Sequence, residues 1–323
     1  MGSARVGGRA FARPLLGSVE TLARRSVSRV ARSWRAALAG ALAVSTASTL
    51  LCSCTTSLGP SVTAAPVLKV VTGAYPIAEA VSLIGGSKVS VDDVVPAGDD
   101  PLTYKPGPSQ RDAIEAAGLL IAVGGGFIPA TDTSPAGQGP SLTMLSALGT
   151  SDPYFWLDPA LMNKAVTAIA KAMDGADPRA APLFNENSVS LSAEVSSLDG
   201  DFTRVLSACP GKLLIGPDQA FSSMATEFGL QAKVVSPDPD QAQIEALVSA
   251  VHQSGPAAIY SEPWVTDAGV VAVATVAHVR LHSLDTIVDP PPGGWPAGAT
   301  YFALMEQDLG TLSSALGCNN NEQ

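Results

Sequence analysis

The residue types that most often carry out chemistry are sparse in this sequence. Its 323 residues include three histidines and four cysteines. Neither a Gly-x-Ser-x-Gly elbow nor a His-Glu-x-x-His motif occurs, so the sequence indicates neither a serine nucleophile nor a zinc-protease site. We therefore predict that the protein is not an enzyme.

The three histidines are not predicted to form a zinc site. His252 falls on the exposed side of its predicted helix, and His278 and His282 flank the last predicted strand. Alternation along a strand sends residues 282 and 285 to opposite faces unless the chain turns between them. Solvated surface histidines are the favoured interpretation, and zinc prefers imidazole and thiolate ligands.

Short β-branched runs alternate with amphipathic stretches through most of the chain. This alternation predicts an α/β fold in which parallel sheets are covered by helices. Strands are predicted at 68–72, 89–95, 119–123, 212–215, 257–260 and 279–284, and helices at 77–84, 109–117, 161–172, 220–228, 244–251, 268–277 and 301–316. Ser109 is expected to cap its helix, and residues 130–151 are expected to be a polar loop.

One longer helix is predicted between two such α/β halves. Apolar residues at 191, 195, 198, 202 and 205 are spaced four, three, four and three, which indicates a single helix from 182 to 206. It would be a stiff connector. The predicted organisation is a signal peptide (1–53), a tether (54–65), an N-terminal lobe (66–178), a connecting helix (179–208) and a C-terminal lobe (209–323).

The first 54 residues read as an export signal. A basic leader precedes the apolar run Ala36–Leu51, whose 16 residues are fewer than the roughly 20 that a spanning helix needs. Leu51-Cys52-Ser53-Cys54 then resembles a bacterial lipobox, in which cleavage after Ser53 would attach lipid to Cys54. The protein is therefore predicted to be extracytoplasmic and membrane-anchored. The alternative is cleavage a little further on, with both cysteines discarded.

The charge of the remaining chain excludes nucleic-acid binding. The leader holds eight of the 19 basic residues and one of the 29 acidic residues, so the rest carries a net charge of about −17. Nucleic-acid binding needs a basic footprint, which this body lacks.

Two further cysteines, Cys209 and Cys318, remain in the body of the protein. Outside the cytoplasm such a pair often forms a disulfide. The alternative is two inert buried thiols.

Five segments in order resemble the extracytoplasmic solute-binding proteins of zinc and manganese ABC importers, the TroA-like family. They are the proline-framed Asp100–Pro106 and Asp152–Pro159, then Asp218–Phe221, Glu262-Pro263 and Leu284-Asp285. The resemblance spans residues 70–316. It implies two βα lobes joined by a rigid helix, a ligand in the cleft between them, and an ABC permease in the membrane as partner.

The resemblance also implies where a metal ion would bind. The family holds its metal with four side chains, and two of them, both histidines, fall at Leu102 and Tyr154 here. The other two fall at Asp218 and Asp285. Leu102 cannot coordinate a metal, whereas Tyr154 can do so as a phenolate once its proton, with a pKa near 10, is displaced.

A site made of Tyr154, Asp218 and Asp285 offers only oxygen atoms. Such a set favours harder cations, namely ferric iron, manganese, calcium or magnesium, and the resemblance leaves manganese, iron or zinc as the expected ion. Alternatives stay open: Asp218 as a helix cap, Tyr154 as a buried filler, and a cleft that takes another small solute or none. The protein would then be a lipid-anchored accessory or adhesion protein. A monomer is expected in either case.

Overall fold

The chain folds into two α/β lobes, each built on a four-stranded parallel sheet. A computed structural model describes residues 67–133, 137, 139–255, 257–265 and 267–318. The predicted signal peptide, tether and lipid-bearing Cys54 lie outside these residues. The predicted fold class, two βα lobes with parallel sheets joined by a long helix, is confirmed.

The first lobe contains four strands and five helices in the described residues. They are β1 (Leu68–Thr72), α1 (Tyr75–Gly85), β2 (Val89–Asp93), α2 (Pro108–Glu115), β3 (Leu119–Ala122), α3 (Pro129–Asp132), β4 (Ser141–Thr143), α4 (Met144–Leu148) and α5 (Pro159–Ala176). The strand order is β2-β1-β3-β4. The central strands β1 and β3 are rich in buried apolar side chains, because helices cover both faces of a parallel sheet.

A single long helix, α6 (Ala181–Leu206), connects the two lobes. Its 26 residues span about 39 Å at a rise of about 1.5 Å per residue. The helix packs against α5 and α1, and its buried face carries Leu191, Val195, Leu198 and Phe202. The domain limits given above stay predictions.

The second lobe repeats the arrangement of the first. Its elements are β5 (Leu213–Gly216), α7 (Ser222–Glu227), β6 (Gln231–Val234), α8 (Gln241–Ser254), β7 (Ala257–Ser261), α9 (Ala268–Ala277), β8 (Leu281–Ser283) and α10 (Tyr301–Leu316). The strand order is β6-β5-β7-β8. Within the described residues, no helix has both the length and the apolar character needed to cross a membrane.

Two local predictions were wrong. Helix α2 begins at Pro108, with Gly107 as its cap residue, and the Ser109 hydroxyl donates to the Gln110 side chain instead of capping. Proline suits the first helical position, which puts Ser109 inside the helix. The segment 130–151, predicted to be a loop, contains β4, α4 and most of α3. The strand was not predicted because β4 lies at the edge of the sheet and is not a buried apolar run.

The segment after β8 crosses from the second lobe and binds to the first. The Trp156 indole Nε1 donates to the Thr286 carbonyl oxygen at 2.9 Å. The backbone nitrogen of Tyr75 donates to the carbonyl oxygen of Val288 at 3.0 Å. The nitrogen of Gly98 likewise donates to the carbonyl oxygen of Pro290 at 2.9 Å. The two lobes are therefore tied by backbone bonds as well as by α6.

The structure places Cys209 and Cys318 in a disulfide, with their Cα atoms 5.3 Å apart. Cys209 follows α6, and Cys318 follows α10, 109 positions later. The bridge therefore connects the start of the second lobe to its end.

Asp289 lies in the crossing segment, and neither of its carboxylate oxygens has a hydrogen-bond partner in the described structure. Burial, with added repulsion from Asp93 and Asp99, raises the Asp289 pKa to about 8. Burial is also the main reason that the Asp93 pKa rises to about 7. This junction therefore stabilises protonated carboxyl groups.

Replacing Asp289 with asparagine is expected to stabilise the protein at alkaline pH. The native pKa lies above the unfolded value near 3.9, so the free energy of unfolding falls as pH rises from about 4 through about 8. Thermal unfolding of Asp289→Asn should therefore occur several degrees higher than wild type at pH 9, and this gain should disappear near pH 4. Asp238→Asn, at an exposed position, is the control. Equal pH profiles for wild type and Asp289→Asn would contradict the assignment.

Candidate metal-binding cleft

Three acidic residues follow the carboxyl ends of neighbouring parallel strands in the second lobe. Asp218 comes after β5, Glu262 directly after β7, and Asp285 after β8. Open α/β sheets bind ligands at this edge, since the loops that leave parallel strands converge there. The first lobe adds Tyr154 and the loop around Leu102.

Tyr154 and Asp218 meet across the cleft. The Tyr154 hydroxyl donates to Oδ2 of Asp218 at 3.5 Å, the long end of the hydrogen-bond range. The Tyr154 ring packs edge-on against Phe127 at a centroid distance of 4.8 Å and against Trp156 at 5.8 Å. The first turn after β3, Gly124–Gly126, has positive φ throughout and so needs glycine to bring Phe127 to this ring.

The second proline frame holds Tyr154 in place. Oδ1 of Asp152 accepts from the Tyr154 nitrogen at 3.0 Å. At the other end of the frame, Asp158 caps α5 by accepting from the nitrogens of Ala160 and Leu161, and Pro159 occupies the first helical position. The Tyr154 side chain is 8% exposed, so it fills space as well as presenting its hydroxyl.

Asp218 is fixed by the loop that it begins. Its Oδ1 accepts from the Ala220 nitrogen at 2.9 Å, which leaves Oδ2 for Tyr154. Asp218 is not the cap of α7, because that helix begins at Ser222 with Phe221 as its cap residue. Burial is the main reason that the Asp218 pKa is raised.

Asp285 is the most enclosed acidic residue of the cleft, at 6% exposed. Its Oδ1 accepts from the Ile287 nitrogen at 2.8 Å, and that bond and the nearby Trp264 side chain both oppose the rise in the Asp285 pKa. Its own nitrogen donates to the carboxyl group of Asp308 on α10 at 3.1 Å. Burial raises the Asp285 pKa, and it raises the pKa of the deeply buried Asp308 far more.

Glu262 was not among the predicted site residues. In the structure it lies close enough to Asp218 and Asp285 for their charges to raise its pKa. The Thr286 side chain, from the residue after Asp285, opposes the rise in the Glu262 pKa. Burial first, and then repulsion from Asp218, raises the Glu262 pKa to about 7. The sequence held one clue, since Glu262-Pro263 was a matching segment at the end of a predicted strand.

Leu102, at the centre of the Asp100–Pro106 loop, has no side-chain atom that could bind a metal ion. Asp100 accepts from the Leu102 nitrogen at 3.0 Å and from the Thr103 hydroxyl at 2.9 Å, so its carboxylate holds its own loop. The Leu102 side chain is 42% exposed and carries no donor atom. The Asp100–Pro106 loop therefore contributes an exposed apolar side chain to the cleft and no metal ligand from Leu102.

Besides burial, negative charges on neighbouring aspartate and glutamate residues raise pKa values in the cleft. The pKa of the Tyr154 hydroxyl is raised, first by burial and then by the negative charges of Asp218, Glu262 and Asp100. As the side chains stand in the described structure, no three His, Cys, Asp or Glu residues are close enough to hold a metal ion. The cleft therefore contains several acidic oxygen donors that are not gathered into a metal site in the described structure.

The histidines do not join this set. His252 on α8 and His278 at the end of α9 are exposed, as expected. His282 lies within β8 and is half-buried, and burial together with Arg280 lowers its pKa.

Comparison with known proteins identifies the family. The family described as "ZnuA: Zinc-uptake complex component A periplasmic" matches residues 70–315. The chain belongs to this family. The TroA-like resemblance read from the five segments is thereby confirmed.

Relatives of this ZnuA-family chain include metal-transport lipoproteins. FimA of Streptococcus parasanguinis, a metal ABC transporter substrate-binding lipoprotein, is 24% identical over 80% of this chain and 93% of FimA. PsaA of Streptococcus pneumoniae, a manganese ABC transporter substrate-binding lipoprotein, is 23% identical over 77% and 89% of the two chains. A longer relative, the zinc-binding lipoprotein AdcA of the same species, is matched over 55% of its length.

Solved structures show the same fold. The laminin-binding protein Lmb of Streptococcus agalactiae, described as bifunctional with adhesin and metal-transporting activity, aligns with a TM-score of 0.68. The alignment covers 77% of this chain and 99% of Lmb at 21% identity, a level that supports the fold alone.

Restoring both histidines is expected to convert this ZnuA-family cleft to a zinc site. Leu102→His with Tyr154→His would place two imidazoles opposite Asp218 and Asp285, and zinc prefers such nitrogen ligands. Zinc affinity, measured by calorimetry, should rise by about 100-fold or more over wild type. Leu83→His, at another exposed leucine, is the control. No gain in the double variant would show that these positions do not face a common ion.

Proposed function

We propose that this chain is the extracytoplasmic solute-binding component of a metal-ion ABC importer, which delivers its cargo to a membrane permease. The single observation that carries the proposal is the family match across both lobes. The named relatives FimA and PsaA support it, because both are described as substrate-binding lipoproteins of such transporters. Members of this family are receptors and not enzymes, in agreement with the prediction from sequence.

We propose Tyr154, Asp218 and Asp285 as cargo ligands and a hard cation, manganese or iron ahead of zinc, as the cargo. All three residues present oxygen, the donor that such cations prefer. Burial is the main reason that the pKa values of the Asp218 and Asp285 carboxyl groups are raised. A bound cation would offset this cost of ionising them.

A second candidate function is a lipid-anchored adhesion or accessory protein. It is favoured by one observation, namely that Leu102 and Tyr154 occupy the two positions where the family resemblance places histidines. This second role is also supported by Lmb, a protein of the same fold that is described as having adhesin activity. The importer remains the better supported function, since the acidic cleft is kept.

Metal titration separates the two functions. We expect manganese or ferric iron, the latter supplied as its citrate chelate, to bind the full chain at one ion per protein and more tightly than zinc. Asp285→Asn keeps a side-chain acceptor for the Ile287 nitrogen but removes a charge, so affinity should fall by about 100-fold. The measurement is calorimetry with elemental analysis of the purified protein.

Asp112→Asn, an exposed aspartate on α2, is the matched control and should bind as wild type does. Flat titrations of the wild-type protein with every ion would contradict the importer and leave the adhesion role.

We also propose that lipid on Cys54 anchors the protein, that Cys209 and Cys318 form a stable disulfide after export, and that the protein is a monomer. The named relatives are lipoproteins, which supports the anchor.

Replacing Cys54 tests the anchor. Cys54→Ala removes the only thiol on which the proposed processing depends, so the protein should move from the membrane fraction to the soluble extracytoplasmic fraction. Fractionation followed by mass measurement checks the result, and Cys52→Ala is the control. Retention of Cys54→Ala in the membrane would contradict the assignment of this cysteine.

A further inference from the structure

We propose that Tyr301 is the positioning residue that holds the two lobes at a fixed spacing. Tyr301 begins α10, a helix that packs against β7 and β8 of the second sheet. Its backbone and its side chain nevertheless both bond to the first lobe. The inference goes beyond the proposed function, because it holds for any solute that the cleft accepts and for a cleft that accepts none.

The backbone of Tyr301 is bonded to α1 of the first lobe. Its nitrogen donates to Oε2 of Glu79 at 2.9 Å. This nitrogen is one of the first amides of α10, which have no partner inside their own helix. Thr300 caps a different one, since its hydroxyl oxygen accepts from the Ala303 nitrogen at 3.2 Å. Glu79 therefore ties the first turn of α10 to the first lobe.

The side chain of Tyr301 is bonded to the second proline frame. Its hydroxyl donates to the carbonyl oxygen of Trp156 at 2.6 Å. The indole of Trp156 donates in turn to the carbonyl oxygen of Thr286 at 2.9 Å. Two separate segments that follow β8 therefore hold the same residue of the first lobe. Tyr154 lies two residues before Trp156, so the part of the frame that faces the cleft is fixed by both.

The ring of Tyr301 has little room to move. The residue is 2% exposed. Together with Pro76 of α1, Met162 of α5 and Val195 of α6, it lines a cavity of only about 10 Å³, close to the smallest space that holds one water molecule. In these apolar surroundings an unpaired hydroxyl would be costly, so the bond to Trp156 fixes the orientation of the ring.

The other end of α10 is held by the end of the connecting helix. Cys318 follows α10 and is bridged to Cys209, which follows α6. Between its two ends, Asp308 of α10 accepts from the Asp285 nitrogen at 3.1 Å. The 16 residues of α10 span about 24 Å at a rise of about 1.5 Å per residue. A helix held at both ends cannot let one lobe move without displacing the other, so Tyr301 closes a frame made of α6 and α10.

A role in packing alone has a different consequence. Phenylalanine at position 301 keeps the ring and removes only the hydroxyl, so a packing role would leave the spacing of the lobes unchanged. A positioning role requires the bond to Trp156, and its loss would let the first turn of α10 move relative to the frame. The spacing of the lobes therefore separates the two roles, whereas stability alone does not.

The test measures the distance between the lobes in the full chain, purified in detergent without added metal. Spin labels on unnatural side chains are placed at the exposed positions 112 on α2 and 245 on α8, and pulsed electron resonance gives the distribution of distances. The wild-type protein should give one narrow distribution, and Tyr301→Phe should widen it by about twofold. Tyr260→Phe, which makes the same change at a buried tyrosine inside the second lobe, is the control.

The contact with α1 provides a second pair of variants. Glu79→Ala removes the acceptor of the Tyr301 nitrogen and should widen the distribution. Glu79→Gln retains a side-chain oxygen as acceptor and should keep the wild-type distribution.

The outcomes decide the inference without reference to any cargo. A wider distribution in Tyr301→Phe, with wild-type widths in Glu79→Gln and Tyr260→Phe, supports it. A wild-type width in folded Tyr301→Phe overturns it, as does a broad distribution in the wild-type protein or equal widening in Tyr260→Phe. If Tyr301→Phe unfolds, Glu79→Ala decides, and a wild-type width there overturns the inference. Because no ion is present, failure of the metal titrations would contradict the importer and leave this result unaffected.

Discussion

The geometry of the cleft depends on the segment that crosses from the second lobe to the first. This segment leaves the second sheet after Ser283 and makes its first hydrogen bond to the first lobe three residues later, at Thr286. Asp285 faces the cleft, Thr286 accepts from the Trp156 indole, and Val288 accepts from Tyr75. The Asp285 nitrogen is held by Asp308 from α10. The residue that contributes a carboxylate is therefore in the same short segment that joins the lobes. If Asp285 binds the cargo, as proposed, then binding and the relative position of the lobes are mechanically connected.

Electrostatics supports the proposed cation site, although no three acidic groups of the described structure are close enough to hold a metal ion. Burial is the main reason that the pKa values of Asp218, Glu262 and Asp285 are raised, and Asp218 and Asp285 raise that of Glu262 further. The desolvation is imposed by the fold, since Tyr154, Phe127 and Trp156 form an apolar wall beside them. A positive ion is the species that compensates this cost most directly.

The sequence predicted the central strands of both sheets and two of the four edge strands, β2 and β8. Strands β1, β3, β5 and β7 are apolar runs, and α6 has a clear periodicity, so each was identified. The edge strands β4 and β6 were missed, because β6 is exposed throughout and carries no alternation. Within the site, Asp218 and Tyr154 were found through the family's segments. Glu262 was not predicted as a residue of the cleft, because it is brought near Asp218 and Asp285 by the side-by-side placement of β5, β7 and β8, which no local pattern records.

Trp264 gives this cleft a property that can be used directly. Its side chain is 56% exposed, and it lies close enough to Asp285 to oppose the rise in the pKa of that carboxyl group. Indole emission is sensitive to nearby charge, so an ion that bound at the proposed ligand Asp285 would alter the light that this residue emits. Under the proposed function the protein therefore contains its own optical reporter, with which rapid mixing could follow the entry and departure of cargo without any attached dye.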